Sequence, residues 1–597
     1  MSEPRWTVIL DGSAPPPRER IGGKAWSIAR MRSLDLPVPP AFVVTTEACA
    51  AYQAQGDLPP GLTDELAAGV AWLEECTDRT FGSGPSPLLI SVRSGAAISM
   101  PGMMDTILNL GINETTMAAL AAEAGDERFA RDTYRRFHEL YAGIVLKLPD
   151  PDLDPDSEPA AWRASIEQST PQGVPQDVHE QLAAAVRAVF DSWQSRRAKR
   201  YRKHHGIPDD LGTAVTVQAM VFGNLDDTSG TGVLFTRDPL TGERKPYGEY
   251  LARAQGEDVV SGRFTPQRIE ELATALPAIH DQLMQAGDTL EAENGDIQDI
   301  EFTVQHGTLY LLQSRTAKRA PAAAVRAAVE MAVEGRINRQ QVLERVTASQ
   351  ARSLLKPHLA EGVADRAETL ATGQGASPGV GVGIVVTDSD EAERRHAAGE
   401  AVVLARATTS PDDVHGMLSA TAVVTEQGGS TSHAAVVGRS LGLPCVVGCG
   451  DVSVTALAGR TVTVDGTAGA IYAGALDVVI PDERADKRLA QLLTWAAEAS
   501  PLAVYRPEDA PAESHILDLD RIEGGEDPER LAGLLTGHTA ARGGAIASDE
   551  GVAAAVAAGL TFIVAEPTLP PLLAAIAAGN GPNESRPTPE SQSQGRR

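Results

Sequence analysis

One segment constrains the fold of this sequence most. Residues 421–448, TAVVTEQGGSTSHAAVVGRSLGLPCVVG, read as a strand, a loop, a helix and a second strand. Gly428 and Gly429 let the loop turn tightly. Thr431 or Ser432 can cap the helix, which places His433 in the first helical turn. The segment belongs to a compact α/β region that we predict from about residue 370 to 478.

The position of His433 suits a residue that carries a phosphoryl group. Backbone N–H groups at a helix start are unpaired, and the helix dipole favours negative charge there. The dipole also lowers the pKa of an imidazole, which keeps its nucleophilic neutral form available. Spacing alone gives equal support to another interpretation, in which the histidine is simply packed near a helix start. A metal ligand is less favoured, because no His, Cys or carboxylate follows at the third or fourth position.

The same string resembles the phosphohistidine motif of the pyruvate phosphate dikinase and phosphoenolpyruvate synthase family. GASPGVGVG at 375–383 and TTSPDDVHGM at 408–417 are similar to the swivelling histidine domain of that family. The resemblance implies that His433 is phosphorylated. It also implies that Thr431 matches a threonine that a regulatory protein phosphorylates in some dikinases. Ser430 departs from the family, which usually has Met at this place.

Two cationic residues in the front half suit phosphate contact. IGGKAWSIARM places Lys24 after two glycines and before a helix, which combines close backbone approach with a cation, although the Walker A pattern is absent. By itself this pattern is weak, because a solvated lysine at a helix start is at least as common. In SVRSGAAISMPGMMDT, Arg93 follows a predicted buried strand and precedes Ser94-Gly95. A guanidinium there is suited to bidentate phosphate contact. Thr231 and Gly232 lie in a Ser/Thr/Gly hairpin that could cover phosphates.

A hairpin supplies candidate metal ligands. In QDIEFTVQHGTLYLLQSR, apolar and polar residues alternate on both sides of His306-Gly307. Period-two alternation puts Asp299 and Glu301 on one face of the first strand and Gln313 and Arg315 on one face of the second. Two carboxylates, an amide and an arginine fit Mg²⁺ with phosphate oxygens. An exposed polar sheet face is the alternative interpretation.

These strings together resemble the ATP-grasp nucleotide domain of the dikinases, in the same order along the chain. The resemblance implies that Lys24, Arg93 and Arg315 contact phosphates and that Asp299, Glu301 and Gln313 serve Mg²⁺. It further implies nucleotide contacts from Gln218, Met220, Glu249, Glu257 and Asp258. The cofactors implied are therefore Mg²⁺ and ATP as phosphoryl donor.

The predicted fold class is a multidomain α/β protein. The predicted parts are an ATP-grasp domain at 1–320 with a helical insert at about 112–205, a helical connector at 321–365, a swivelling phosphohistidine domain at 366–478, a small C-terminal α/β region at 485–580 and a disordered tail at 581–597. Flexible flanks are expected near 360–372 and 478–490, because one histidine must visit two sites.

Composition excludes some partner classes. The net charge of −28 argues against nucleic acid and a membrane surface. Four scattered cysteines indicate reduced thiols, and neither a signal peptide nor an apolar run of membrane-spanning length is found. These features predict a cytoplasmic protein, with a homodimer left open.

The resemblance implies an ATP-dependent phosphotransferase. In the family the β-phosphoryl group goes to the histidine, AMP leaves, and the γ-phosphoryl group goes to inorganic phosphate. The acceptor implied is pyruvate or another small molecule, because the residues after about 480 do not match the pyruvate-binding barrel of the family, which needs about 250 residues. A barrel on a separate subunit, a different acceptor bound by residues 485–580 and a non-catalytic regulatory relative are the alternatives.

Overall fold

The computed structural model describes residues 5–98, 100, 104–148, 151, 153–170, 172–260, 265–355, 358–360, 362–441, 443–451, 453–479, 481–511, 515–525 and 527–579. The predicted disordered tail at 581–597 lies outside these residues. The chain divides into two compact units. The first contains Met1–Leu234, Gly248–Gly287 and Asp299–Arg315, and the second contains Phe235–Tyr247, Asp288–Gln298 and Thr316–Arg597.

The front part of the chain alternates strands and helices. Its elements are β1 (Thr7–Ile9), α1 (Arg18–Ser33), β2 (Ala41–Val44), α2 (Thr46–Gln55), α3 (Leu62–Thr77), β3 (Thr80–Phe81), β4 (Pro87–Leu88), β5 (Ile90–Gly95) and β6 (Thr106–Leu110). The predicted helical insert follows as α4 (Glu114–Ala124), α5 (Glu127–Ile144), α6 (Pro159–Ser169), α7 (Val178–Ser192) and α8 (Arg196–His205).

Strands return after the insert. The elements are β7 (Ala214–Ala219), β8 (Gly230–Phe235), β9 (Tyr247–Ala252), α9 (Gly256–Val260), β10 (Gln267–Arg268), α10 (Ile269–Ala275), α11 (Pro277–Asn294), β11 (Gln298–Gln305) and β12 (Thr308–Thr316). The predicted hairpin across His306-Gly307 is confirmed, and both residues have positive φ angles of 49° and 65°. The two five-stranded sheets of this part have the strand orders β1-β2-β7-β5-β6 and β10-β9-β8-β11-β12, and β3 pairs with β4 in a separate two-stranded sheet.

Helices then lead into the α/β region that contains His433. The connecting elements are α12 (Pro321–Val333), α13 (Arg339–Arg345), α14 (Ala348–Leu354), β13 (His358–Leu359) and α15 (Val363–Arg366). The region itself contains β14 (Thr369–Thr372), β15 (Gln374–Ser377), β16 (Val380–Val386), α16 (Ser389–Ala397), β17 (Val402–Arg406), α17 (Val414–Leu418), β18 (Ala422–Thr425), α18 (His433–Leu441), β19 (Cys445–Val447), β20 (Thr461–Asp465), β21 (Ala470–Ala473) and β22 (Val478–Val479).

The last part is also α/β. It comprises α19 (Lys487–Ala499), β23 (Ala503–Tyr505), β24 (Ile516–Asp518), α20 (Pro528–Leu534), β25 (Ala540–Arg542), α21 (Asp549–Ala557), β26 (Phe562–Val564) and α22 (Leu569–Gly579). Its four strands form a parallel sheet in the order β23-β26-β25-β24. None of the helices in the described ranges has the length and apolar character that crossing a membrane requires.

The eight-stranded sheet that positions His433 is buried on both faces. Its order is β14-β21-β20-β16-β17-β18-β19-β15, and β16, β17, β18 and β19 are parallel neighbours. Val402 and Leu404 pack on one face with the helices, while Val403 and Ala405 pack on the other. Parallel strands covered on both sides are continuously apolar, as the sequence of these strands is.

The start of α18 requires one correction. Ser432 precedes α18, and its carbonyl accepts a backbone hydrogen bond from Val436. The hydroxyl of Ser432 is buried and has no hydrogen-bond partner among the described residues, so Ser432 does not cap the helix. Thr431, the other residue predicted as a possible cap, stays a prediction.

Candidate functional site

A backbone contact brings Lys24 beside the segment that follows Arg93. Gly22 interrupts α1 with a φ of 76°, and the helix resumes at the next residue. A Cβ atom on Gly22 would lie 1.8 Å from the carbonyl oxygen of Gly95. The Gly23 N–H also donates to the carbonyl of Ala96 at 3.0 Å. Two distant stretches of chain therefore meet at their backbones, and glycine is required where they touch.

Five of the predicted residues form contacts across the β11–β12 hairpin and β5. Arg93 lies 3.2 Å from a carboxylate oxygen of Glu301 and donates to the Gln313 amide oxygen at 3.4 Å. Arg315 donates to the carboxylate of Asp299 at 2.8 Å. These contacts agree with the predicted sharing of faces. Glu301 of β11 and Gln313 of β12 both reach the guanidinium of Arg93. Two positions along each strand, Asp299 and Arg315 reach each other.

The electrostatics of this cluster favour an anionic ligand. Burial lowers the pKa of Lys24 well below its usual value, and repulsion from Arg93 lowers it further. Burial alone would raise the pKa of Glu301, but the attraction of Arg93, Arg315 and Lys24 outweighs it and lowers the pKa. Asp299 raises the pKa of Arg315. Lys24, Arg93 and Arg315 face the two carboxylates, and an anion that binds among them would favour the charged form of Lys24.

The donor set at the cluster fits a hard divalent cation. Asp299 and Glu301 offer carboxylate oxygens and Gln313 offers an amide oxygen, which are the ligand types that Mg²⁺ takes in phosphate sites. The lowered pKa keeps the Glu301 carboxylate ionised and able to act as a ligand. The residues present therefore fit Mg²⁺ together with phosphate oxygens.

Other residues that were predicted to bind the nucleotide make hydrogen bonds elsewhere in the first unit. Gln218 is buried and donates its amide to the carbonyl of Pro39 at 3.2 Å. The Met220 N–H donates to the Leu89 carbonyl. The Thr231 hydroxyl donates to the carbonyl of Phe302 inside the sheet, in place of the outward position that the hairpin suggested. Their contribution to a nucleotide site stays a prediction.

The remaining predicted contacts lie on β8, β9 and α9. A Cβ atom at Gly232 would lie 2.3 Å from the carbonyl of Glu249, so the glycine allows close strand packing. Glu249 is half-buried opposite Arg268 in the antiparallel register. Asp258 is paired with Arg136 of α5 at 2.9 Å. The side chain of Glu257 lies outside the described residues.

The imidazole of His433 is held by a hydroxyl. α18 begins at His433, between the parallel strands β18 and β19. Nδ1 of His433 lies 3.2 Å from the Thr409 hydroxyl oxygen. Burial lowers the pKa of His433, and the negative charge of Asp413 opposes this shift. The arrangement occupies Nδ1, favours the neutral ring and leaves Nε2 as the nitrogen available for reaction.

Comparisons with known proteins identify the family of the chain. A sequence model described as pyruvate phosphate dikinase, AMP/ATP-binding domain, matches residues 18–80 and 62–281. Another, described as PEP-utilising enzyme, mobile domain, matches residues 398–469. The chain is 42% identical over 531 residues to a pyruvate, phosphate dikinase 2 of Oryza sativa subsp. japonica, a match that covers 83% of this chain and 60% of the relative. The chain belongs to the pyruvate, phosphate dikinase family.

Other dikinases are similarly related. The Zea mays pyruvate, phosphate dikinase 2 is 42% identical over 532 residues, covering 83% of this chain and 60% of the relative. The Clostridium symbiosum dikinase is 39% identical over 546 residues, covering 85% of this chain and 62% of the relative. This dikinase-family chain thus spans about three fifths of the length of the relatives it matches.

Sequence reasoning missed two residues beside His433 in this dikinase-family chain. Thr409 and Asp413 both lie in TTSPDDVHGM, which was used only as a resemblance. Asp413 is buried and accepts hydrogen bonds from Ser410 and Ser389. The Ser-x-x-Asp spacing from Ser410 to Asp413 is a capping signal, and it could have marked this loop as ordered. No sequence signal indicated that Thr409 would reach the imidazole.

Proposed function

We propose that this chain transfers a phosphoryl group from Mg²⁺-ATP to His433, as a phosphotransferase of dikinase type. The nucleotide would bind on an ATP-grasp domain formed by 1–320, with the helical insert at about 112–205. His433 would be carried by a swivelling domain at 366–478, joined through the connector at 321–365. One observation supports this most: three cations, two carboxylates and an amide converge on one face of the β11–β12 hairpin.

Each side chain of the cluster has a distinct role in the proposal. Lys24, Arg93 and Arg315 bind the phosphate oxygens and stabilise the charge that develops during transfer. Asp299, Glu301 and Gln313 would hold Mg²⁺, which when bound neutralises phosphate charge and orients the phosphate chain. Arg93 and Arg315 already pair with carboxylates, so these guanidinium groups are oriented before the anion arrives.

His433 acts as the nucleophile through Nε2. This role requires the proton of the neutral ring to reside on Nδ1, which lies 3.2 Å from the Thr409 hydroxyl oxygen. Nε2 attacks the β-phosphorus of ATP, the bond from the β-phosphorus to the α,β-bridging oxygen breaks, and AMP leaves. A lowered pKa keeps the ring neutral at neutral pH, which makes the lone pair of Nε2 available. The γ-phosphoryl group then passes to inorganic phosphate.

We propose pyruvate as the second acceptor, because the relatives are named pyruvate, phosphate dikinases. Residues 485–580 or a separate barrel subunit would bring pyruvate to the phosphohistidine. Phosphorylation of Thr431 would place negative charge two residues from His433 and would oppose transfer to that ring. A homodimer also belongs to this proposal.

The test is transfer of label from ATP labelled at the β-phosphate. In the presence of Mg²⁺ we expect one acid-labile, base-stable label per chain, which His433→Asn abolishes. His415→Asn is the matched control, because His415 is a half-buried histidine in the same α/β region that is paired with Asp390. Equal labelling of wild type and His433→Asn would contradict the proposed nucleophile.

A chase separates the acceptor from the phosphoryl transfer. Adding pyruvate to the labelled chain should discharge the label into phosphoenolpyruvate. Label that stays on the protein would reject pyruvate as acceptor for this chain by itself. Such a result would leave phosphorylation of His433 unaffected.

A further inference from the structure

Helix α8, Arg196–His205, carries the sequence RRAKRYRKHH, which contains six Lys or Arg residues and no acidic residue. This composition departs from a chain with 80 acidic and 52 basic residues. Four of the cations are exposed and follow the spacing i, i+3, i+4 and i+7, so they lie within one third of the helix circumference. We call these four residues the cationic face: Arg196, Lys199, Arg200 and Lys203.

The opposite side of α8 fixes the helix to the protein. Ala198 and Arg202 are fully buried. Arg202 donates to the carbonyl of Trp193 at 2.7 Å and to Asp209 at 2.8 Å, and its guanidinium lies 4.1 Å from the centre of the Trp193 ring. The charge of Arg202 is therefore used inside the fold. The cationic face is presented by a helix whose orientation is fixed.

The cationic face carries an unbalanced charge. Within the described ranges none of its four residues forms an ion pair, whereas Arg197 of the same helix pairs with Asp105. Like charges three and four positions apart repel one another and destabilise a helix. Arg196 in the first turn also opposes the helix dipole. A local arrangement that weakens its own helix is expected where an external counter-charge compensates it.

The structure assigns the cationic face as a docking surface for an acidic, Asp/Glu-rich segment of a partner protein. The face extends about 10 Å along the helix, from Arg196 to Lys203. A broad polyanion such as a nucleic-acid duplex or an anionic bilayer would also bring its charge close to other parts of a chain whose net charge is −28, where the Debye length is about 8 Å. A narrow peptide covers only the cationic strip and avoids that repulsion. Guanidinium forks such as Arg200 bind carboxylates bidentately.

The test is fluorescence polarisation of fluorescein-labelled deca-glutamate with the full chain. We expect binding at about 50 mM salt that weakens steeply at higher ionic strength. A variant with Arg196→Gln, Lys199→Gln, Arg200→Gln and Lys203→Gln should bind about tenfold or more weakly, since each lost exposed ion pair contributes modestly.

A second quadruple variant removes the same charge elsewhere. Arg128→Gln, Arg394→Gln, Arg460→Gln and Lys487→Gln change four exposed cations outside α8 and should leave binding within about twofold of wild type. Thermal unfolding should show that the α8 variant is as stable as wild type or more stable, because repulsion has been removed.

Three outcomes would overturn the docking surface. One is equal weakening by both quadruple variants, which would indicate only long-range charge. Another is absence of peptide binding to wild type at low salt. The third is binding of inorganic polyphosphate or a DNA duplex to α8 without binding of the peptide.

Discussion

Replacing Gly22 by alanine should separate the two stretches of chain that bring Lys24 and Arg93 together. The new Cβ atom would lie 1.8 Å from the carbonyl oxygen of Gly95, whereas ordinary van der Waals contact begins at 3.4 Å. The two backbones must therefore move apart by about 1.6 Å. Gly22 also has a φ of 76°, where a side chain adds strain of about 1–2 kcal/mol.

The magnitude follows from this displacement. Steric overlap in a packed region adds about 1–3 kcal/mol, so the variant should lose about 2–5 kcal/mol of unfolding free energy in total. Lys24 moves relative to Arg93, and a misplacement of about 1 Å in a catalytic site costs about a hundredfold in rate. We therefore expect phosphorylation of His433 to fall by about a hundredfold or more.

Gly23→Ala is the matched control in the same motif. Its Cβ atom would meet the end of the Arg18 side chain at 2.9 Å, and a flexible side chain can move away. Rapid-quench labelling from ATP and nucleotide binding by calorimetry should be measured below the unfolding midpoint of each variant, as determined by near-ultraviolet circular dichroism. Labelling by Gly22→Ala within threefold of wild type would refute the reasoning, as would equal losses in the two variants.

Three further perturbations test separate contacts. Thr409→Val removes the hydroxyl that contacts Nδ1 of His433. This variant should label His433 about tenfold or more slowly, with unchanged nucleotide affinity. An unchanged labelling rate would contradict a positioning role for Thr409. Glu301→Gln removes a proposed metal ligand and should raise the half-saturating Mg²⁺ concentration in the labelling assay by about tenfold or more, and an unchanged value would exclude Glu301 as a ligand. Burial lowers the pKa of His138 from 6.5 to about 4 in the folded protein. Between these pH values the unfolded state binds a proton that the folded state does not, so the free energy of unfolding falls as the pH drops from 6.5 towards 4. His138→Phe should reduce the loss of unfolding free energy between about pH 7 and 4.5 by about 2 kcal/mol in denaturant titrations, and an unchanged loss would show that His138 titrates normally.

Local sequence patterns predicted much of the secondary structure. Alternation along 298–316 predicted the β11–β12 hairpin and the shared faces of its polar residues, because the side-chain period of a strand is two. The helical connector predicted at 321–365 contains α12, where Val325, Ala328 and Val329 are buried. Helix α18 was also predicted to begin beside His433. Each of these features depends on residues that are close in sequence.

The contacts that give the site its chemistry join residues that lie far apart in the sequence. Arg93 meets Glu301 across 208 positions of sequence, and Thr409 meets His433 across 24. The order of strands within each unit, and the packing of helices on them, determines which distant residues meet. Ser432 was predicted as a possible cap of α18, but its hydroxyl is buried without a hydrogen-bond partner among the described residues.

The sequence by itself determined the local elements, the residue types and the family to which the chain belongs. Only the tertiary structure decided that Lys24, Arg93 and the hairpin carboxylates share one cluster, and that the Nδ1 atom of His433 is held by a hydroxyl. The physical reason is that periodicity and capping act over a few residues. Close approach of glycine backbones, desolvation and ion pairing arise only when distant segments pack together.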